Sequence, residues 1–551
     1  MRAMNFCRYI VHYRTLLRAL LFALPQLLLP IECLAQLRSV NNANSLYGLP
    51  GHRMSLSFEA ASVDALGATL TVQIFPFDDR GEAVPSPIAT YHRKIDVTQQ
   101  RQPVSVAVTM ARPGLYRAAA ELRSLSDTPL GHTSVNFAIV PKRSSDSPPD
   151  FGIVTHFAQG QGSPSVLLPL IRQAGFSWIR DELYWQEIEK VPGQFSFPRH
   201  YDAFLQQATR LGISPLIVLD YGNAGAYPRI FGPSPFPQTA EARTLFVRYV
   251  SNVVKRYGKV VKHWELWNEP SFNQIGYSSY LSLLKASYSA IKKVSPDAKL
   301  IACGGGGVGG GAGGECAIQL IKDGGLDDQD GFSVHPYMSP NTPELGYPAK
   351  GGPIDVVSIP TTWPYLKSLA VQHPKTNGRH LQVWVTEFGW PVNSKVQGQD
   401  ETSQAANLAR SYLLSRRYDA IRVLFWYDLM DDGTDPDNYE HHFGLLHHDL
   451  SPKPAYVAAS VLATTLGSRS WRGALVDTDD VRVYQYGIGD AITAGWTIGP
   501  ARRVVSINLR PGQYIQRDWQ GVETPVTIAP QPFEWKLGPL PRYLLPVREP
   551  N

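Results

Sequence analysis

The chain has 551 residues, 43% of them apolar and 18% charged, with a formal net charge of +5. That length exceeds one ordinary domain, so two or three are expected, unless an α/β barrel takes the larger share. Setting aside residues 1–35, which hold four Arg and one Glu, leaves a formal charge of +2. That excludes a basic field for nucleic acid or a membrane surface.

Residues 1–18 carry four Arg and no acid. ALLFALPQLLLPI (19–31) follows, broken only by Gln26 and two prolines, and then ECLAQ. A basic segment, an apolar segment and small residues in that order make a signal peptide cut after Ala35. The apolar run falls short of the ~20 residues of a membrane span, which places an uncleaved anchor second. Pro30 and Glu32 flank Cys33 badly for a lipid-modified cysteine. The protein is therefore expected to be exported, with periplasm and medium both open.

From about Ser55 to Val140 the text reads as β-structure after an extended lead-in over 36–50. LTVQIFPF (70–77) and VSVAVTM (104–110) alternate, RPGLYRAAAEL (112–122) is a turn running into a strand, and SVNFAIV (134–140) closes the series. Short strands with regular turn signals predict a β-sandwich over 36–142. PKRSSDSPPD (141–150) is a polar, Pro-rich linker.

The pattern changes at Phe151. Eight apolar runs follow: FGIVTHF (151–157), FSWIRDE (176–182), SPLIVLDYGN (214–223), KHWELWNEP (262–270), KLIACGG (299–305), GFSVHPYM (331–338), LQVWVTEFGW (381–390) and IRVLFWYDL (421–429). Helical stretches such as 278–294, with Leu281, Leu284, Tyr288 and Ile291 on one face, lie between them. Eight strands buried on both sides, alternating with helices, predict a (β/α)₈ barrel over 151–465. VRVYQYG, AITAGWTI and VVSINLR then read as strands of a small β-domain over 466–551.

Functional residues of such a barrel come from the C-terminal ends of its strands. Here those ends supply His156, Arg180, Asn223, Asn268, Glu269, His335, Tyr337, Glu387 and Trp426, with Trp185 just beyond the second strand. Two carboxylates at strand ends are what glycoside hydrolysis requires, one to protonate the leaving oxygen and one to attack or to activate water. Glu269 closes the fourth run and Glu387 the seventh. Apolar surroundings are expected to keep Glu269 protonated, while Arg180 and Tyr337 keep Glu387 ionised. The Trp426 ring is expected to floor the subsite, with Asn223, His156, His335 and Trp185 lining it.

Other motifs have plainer readings. Cys303 and Cys316 bracket GGGGVGGGAGG and a Glu, and a disulfide pinning a surface flap is expected in an exported chain. No Lys-Ser or Lys-Thr follows the glycines, so a phosphate loop is excluded. The histidine pairs 441–442 and 447–448 lack metal-ligand spacing.

WNEP at the end of the fourth run and TEFGW at the end of the seventh resemble glycoside hydrolase clan A, the retaining (β/α)₈ enzymes. HPY at 335–337 and SPKPAY at 451–456 are similar to further segments of that clan. The resemblance implies Glu269 as acid/base, Glu387 as nucleophile, Asn268 as ligand of the sugar 2-hydroxyl and Tyr337 as partner of the nucleophile. It also matches Arg180 and Trp426 to the clan's second-strand Arg and eighth-strand Trp. Within the clan, the flanked barrel most resembles family 39 and bacterial exopolysaccharide hydrolases. The implied activity is hydrolysis of a polysaccharide from within by a monomeric enzyme, without cofactor or metal. An exo-acting glycosidase such as a β-xylosidase is one alternative. A glycan-binding or matrix protein on a barrel scaffold is another.

Overall fold

The computed structural model describes residues 36–61, 66–232, 235–393 and 399–547. The expected leader at 1–35 lies outside the described residues.

Alternating residues at the N-terminal end build two sheets. One has the spatial order Tyr47–Gly48, Pro129–Ile139, Gly114–Ser124, Leu66–Pro76 and Ala89–Val97. The other has the order Gln36–Ser39, Arg53–Ala61 and Gln102–Thr109. Met54, Leu56, Phe58 and Ala60 are buried along one face of Arg53–Ala61, in one core with Leu70, Val72 and Ile74 of the larger sheet. A burial period of two is what a strand with one packed face produces. The stretch at 36–50 differs from the expected plain lead-in. It supplies the first strand of the smaller sheet and a short helical turn, Ala43–Leu46, capped by the Asn42 side chain.

Eight parallel strands then close into a barrel: Phe151–Val154, Trp178–Tyr184, Ser214–Asp220, His263–Leu266, Lys299–Ala302, Gly331–Val334, Gln382–Val385 and Ile421–Trp426. The last pairs with the first, Trp426 beside Ile153. Seven strands fall within an anticipated run, while the second runs two residues past the run at 176–182, and most runs outlast their strand. The fourth strand stops at Leu266, after which Trp267 and Glu269 have positive φ values of 68° and 43°. Trp178, Leu216, Ile301, Trp384, Val423 and Phe425 plug the interior. A buried polar layer of Arg180, Glu265, Ser333 and Thr386 joins the strand ends.

The last barrel helix, Pro454–Leu466, is buried almost all round. A helix apolar on every side has to be covered on every side. Tyr456 packs edge-on to Tyr47 of the N-terminal sheets at 4.8 Å, and Val461 faces Gly521 from the C-terminal strands. Those C-terminal strands form a six-stranded sheet running from Trp471–Asp477 to Arg542–Pro546 in sequence, together with a two-stranded ribbon. Among the described residues no helix is long and apolar enough to cross a membrane.

One side chain joins the two ends of the chain. Gln520 is buried. Its Oε1 accepts from Leu115 N at 3.0 Å, and its Nε2 donates to the carbonyls of Phe77 at 2.9 Å and Asp78 at 3.0 Å. Asp79 alongside accepts two hydrogen bonds from Arg502, each 2.9 Å, and another from Arg542. Gln520→Leu leaves the buried backbone partners unpaired and is expected to cost about 2–4 kcal/mol. Urea unfolding of the whole chain measures this, and a loss below about 0.5 kcal/mol would show that the contact is dispensable.

Candidate active site

The second barrel strand directs Arg180 into the mouth of the barrel. The guanidinium is only 2% exposed, and three acceptors surround it. Nε donates to Glu265 at 2.6 Å, one terminal nitrogen to Glu387 at 2.8 Å, and the other to the Asn268 amide oxygen at 2.9 Å. Burial works against its charge, but Glu265 and then Glu387 outweigh burial and raise its pKa further. Tyr337 donates to the second Glu387 oxygen at 2.8 Å. Burial first, and Glu387 next, hold that phenol well above its ordinary pKa, so it remains a donor. Glu387 thus receives a charge-assisted bond on one oxygen and a phenol on the other.

Glu269 meets a different environment from the apolar one expected. Its side chain is 54% exposed, and Oε1 lies 3.0 Å from His335 Nδ1. This hydrogen bond lowers the Glu269 pKa, against the upward push of burial. His335 is itself buried, and its Nε2 lies 2.9 Å from Thr386 Oγ1. The Thr386 hydroxyl donates its one proton to Glu265 at 2.8 Å. Thr386 can therefore only accept from the ring, so His335 carries its proton on Nε2. The Nδ1–Oε1 contact then needs one more proton, held either by Glu269 or by an imidazolium. Glu265 and Thr386, neither of them singled out in the sequence, set the proton position of the pair.

A cleft of about 460 Å³ opens over this group. The strand ends supply His156, Arg180, Asn268, Glu269, Tyr337 and Glu387 to it. Gln159, Glu182, Tyr221, Tyr427, Tyr439 and Glu440 line it as well. His156 Nε2 stands 3.7 Å from Asp428. Asn268 also donates to the Tyr221 hydroxyl at 3.2 Å. Glu182 lies two residues beyond Arg180 on the same strand face, a spacing that marks it in the sequence. Tyr439 and Glu440 come from the loop after the eighth strand, where no periodicity marks them.

Four expected cleft residues lie elsewhere: His335 is buried and reaches the cleft only through its hydrogen bond to Glu269, and three more sit in the wall. The Trp426 ring is fully buried and stacks on Trp390 at 5.7 Å, and the next residue, Tyr427, lines the cleft. Trp185 is buried behind the wall, stacked on Tyr249, with Nε1 donating to Glu189 at 2.6 Å. Asn223 ties its own loop to the one after the second strand, donating to the Glu189 carbonyl at 2.7 Å and accepting from Ala226 N at 2.9 Å. All three support the wall.

The glycine run is also no surface flap. Cys303 and Cys316 are joined, and residues 303–306 and 311–314 are buried. Gly305 (φ 72°) lies so close to the His335 ring that a Cβ there would come within 2.2 Å, and one on Gly310 within 1.8 Å of the His335 carbonyl. The loop is packed around His335, and side chains are excluded for that reason.

By distance, Glu269, His335 and Glu387 form one trio of possible metal ligands, and His156, Asp428 and Asp432 another. In the first, the Arg180 guanidinium already occupies one side of Glu387, and a cation there would meet like charge.

A parallel eight-stranded barrel with two glutamates facing each other at its C-terminal mouth is the arrangement of a glycosidase. No protein-family model and no curated protein matches the chain. A solved family 39 glycoside hydrolase from the gut symbiont Bacteroides cellulosilyticus WH2 is 35% identical to it. That alignment covers 93% of this chain and all of the other, with a TM-score of 0.82. A glucosidase from Croceicoccus marinus is 12% identical over 74% of this chain and 97% of its own, with a TM-score of 0.49. The catalytic domain of the GH30 xylanase C of Talaromyces cellulolyticus is 12% identical over 74% and 99%, with a TM-score of 0.48. The chain belongs to glycoside hydrolase family 39.

Thr386→Val removes the acceptor of the His335 Nε2 proton inside a buried site. The ring is then expected to carry its proton on Nδ1, facing Glu269. Nitrogen-15 NMR of histidine-labelled protein distinguishes the two tautomers without any substrate. An unchanged His335 signal in the variant would refute the assigned proton order.

Proposed function

We propose that the chain is an exported, retaining glycosidase that cuts within an uncharged polysaccharide, with Glu387 as nucleophile and Glu269 as acid/base. The observation that carries this reading is the separation of the two carboxylates, whose nearest oxygens lie within 4.8 Å of each other. Retaining enzymes hold the pair about 5–5.5 Å apart, whereas inverting ones need about 6.5–9.5 Å to admit a water.

In the first step Glu387 attacks the anomeric carbon as the glycosidic C–O bond breaks, and the Glu269 proton passes to the leaving oxygen. In the second, Glu269 takes a proton from water, whose oxygen displaces Glu387 from the sugar. Arg180 and Tyr337 hold Glu387 in place and aim it. Asn268, fixed by Arg180 and Tyr221, keeps an amide proton for a sugar hydroxyl. A substrate that covers Glu269 removes water from it, which favours its protonated form.

Charge supports an uncharged substrate. Asp181, Glu182, Glu269, Glu387 and Glu440 line the cleft. Arg180 and His156 are its basic groups among the described residues, and Arg180 is fully engaged. A uronate would meet uncompensated carboxylates. The leader-like residues 1–35 support export, as does the disulfide, since such bonds persist in oxidising compartments.

Glu387→Ala is expected to lower turnover by about four orders of magnitude or more with folding intact. Glu269→Ala is expected to spare aryl glycosides with good leaving groups far more than natural glycans, because only the latter need the proton. Products from a polysaccharide panel, sized by mass spectrometry with proton NMR of the first-formed anomer, test both. Inverted product, or wild-type turnover by Glu387→Ala, would overturn the reading.

The alkaline limb of kcat/KM reports loss of the acid's proton from free enzyme. The His335 bond lowers the Glu269 pKa, so His335→Gln is expected to move that limb to higher pH. A limb that stays in place would show that Glu269 does not set it.

A further inference from the structure

Three side chains gather where the barrel closes, beside the cleft. His156 follows the first strand, and Asp428 and Asp432 lie in the segment after the eighth, which pairs with the first. One ring nitrogen and two carboxylate oxygens of these residues lie within 4.8 Å of one another. His156 Nε2 stands 3.7 Å from Asp428 Oδ2, beyond hydrogen-bond reach, and that nitrogen is buried without a hydrogen-bond partner. Asp428 is 2% exposed, and its Oδ1 is likewise buried and unpartnered. A carboxylate oxygen left unpaired at such depth is costly, and a cation beside it recovers that cost.

The neighbouring basic groups are committed elsewhere. Asp431, in the same segment, takes the Lys453 ammonium at 2.6 Å and the Gly444 N–H at 2.9 Å. Asp432 accepts from the uncharged Gln161 amide at 2.7 Å. Burial first, then Asp432 and Asp431, push Asp428 well above the usual carboxylate range; Lys453 pulls the other way, and Glu440 adds to the rise. His156 Nδ1 lies 3.4 Å from the Gln159 amide, a long contact that either amide atom can make. Nδ1 can therefore carry the ring proton and leave the Nε2 lone pair free for a metal. One imidazole with two carboxylates is a donor set for first-row divalent ions. Such ligands sit ~2.0–2.2 Å from Zn²⁺, so two of them span up to ~4.4 Å. The 3.7 Å gap between His156 and Asp428 is of that size.

We propose that His156, Asp428 and Asp432 bind a divalent transition-metal ion, Zn²⁺ or Mn²⁺, which braces the segment after the eighth strand against the end of the first. That segment also carries Tyr427, Tyr439 and Glu440 to the cleft, so the ion steadies one wall of the site. Its two positive charges balance Asp428 and Asp432, and it takes no part in the two-glutamate chemistry. Its binding does not depend on the glycosidase reading.

The test uses the full mature chain, untagged and with its disulfide intact, stripped with EDTA and transferred to chelator-free buffer. Isothermal titration with Zn²⁺, Mn²⁺, Ca²⁺ and Mg²⁺ reads binding without substrate. One equivalent of Zn²⁺ or Mn²⁺ is expected to bind, and His156→Gln, Asp428→Asn and Asp432→Asn are each expected to weaken it about tenfold or more. Asp432 is only half-buried, so its variant reports on the site even if Asp428→Asn fails to fold. Glu387→Ala disrupts the other trio of carboxylates and histidine and is expected to leave binding unchanged. In histidine-labelled protein, Zn²⁺ is expected to shift the nitrogen-15 signal of His156. No binding of either transition ion, binding that none of the three substitutions changes, or loss of binding in Glu387→Ala overturns the site. Preference for Ca²⁺ over both transition ions overturns the class of ion.

Discussion

One buried guanidinium holds the mouth of this barrel together. Arg180 lies on the second strand, while its acceptors come from the fourth strand, the turn after it, and the turn after the seventh. A planar fork with fixed donor directions turns those contacts into a constraint on how the strand ends sit, which the flexible point charge of a lysine would not impose. Burying such a charge costs several kcal/mol, and removing one partner of a buried pair typically costs about 3–5 kcal/mol because the other charge is left uncompensated. Glu265, which touches only protein groups, is therefore part of the same unit. It neutralises Arg180 on one side and accepts from Ser333 and Thr386 on the other. The placement of Glu387 and the proton order at His335 and Glu269 both trace to this one carboxylate.

The second constraint is steric. The turn after the fourth strand departs from ordinary L-residue backbone at Trp267 and Glu269, which places the Glu269 side chain over the barrel mouth. Glu269 N donates to the Gly304 carbonyl at 2.8 Å, and His335 N donates to the Gly310 carbonyl at 2.8 Å. The glycine loop thus stitches the acid's turn to the histidine beneath it. Cys303–Cys316 closes the loop at its base, fixing where it starts and ends.

Much of this was legible because it follows from periodicity and from chemistry at strand ends. The eight runs, the paired glutamates and the Arg180 and Tyr337 contacts to Glu387 belong to that class. Trp426, Trp185 and Asn223 were placed wrongly for a shared reason. A sequence shows that a residue is near a strand end but not which way the chain turns there. The ring of Trp426 goes under the site and Tyr427 takes the exposed place. The glycines were misread because absent side chains indicate equally a free loop or one with no room. Glu265 and Thr386 escaped notice because each adjoins a stronger motif and bears on substrate only through another residue.

The environment of Glu269 shows why an open cleft and a working one need not hold the same protonation state. Glu440 is raised by burial first and by Glu387, Asp432 and Glu269 after that. Glu269 itself moves the other way because the His335 hydrogen bond outweighs burial and the nearby Glu265. Since Thr386 obliges His335 to protonate at Nε2, the proton between the ring and Glu269 is shared across a single contact. Excluding water from Glu269 favours its protonated form. On the proposed reading an uncharged sugar supplies that change by excluding water without adding charge. A charged one would alter the field of every carboxylate in the cleft together. On the proposed reading, selectivity for an uncharged substrate and activation of the acid are two consequences of the same crowded arrangement of carboxylates.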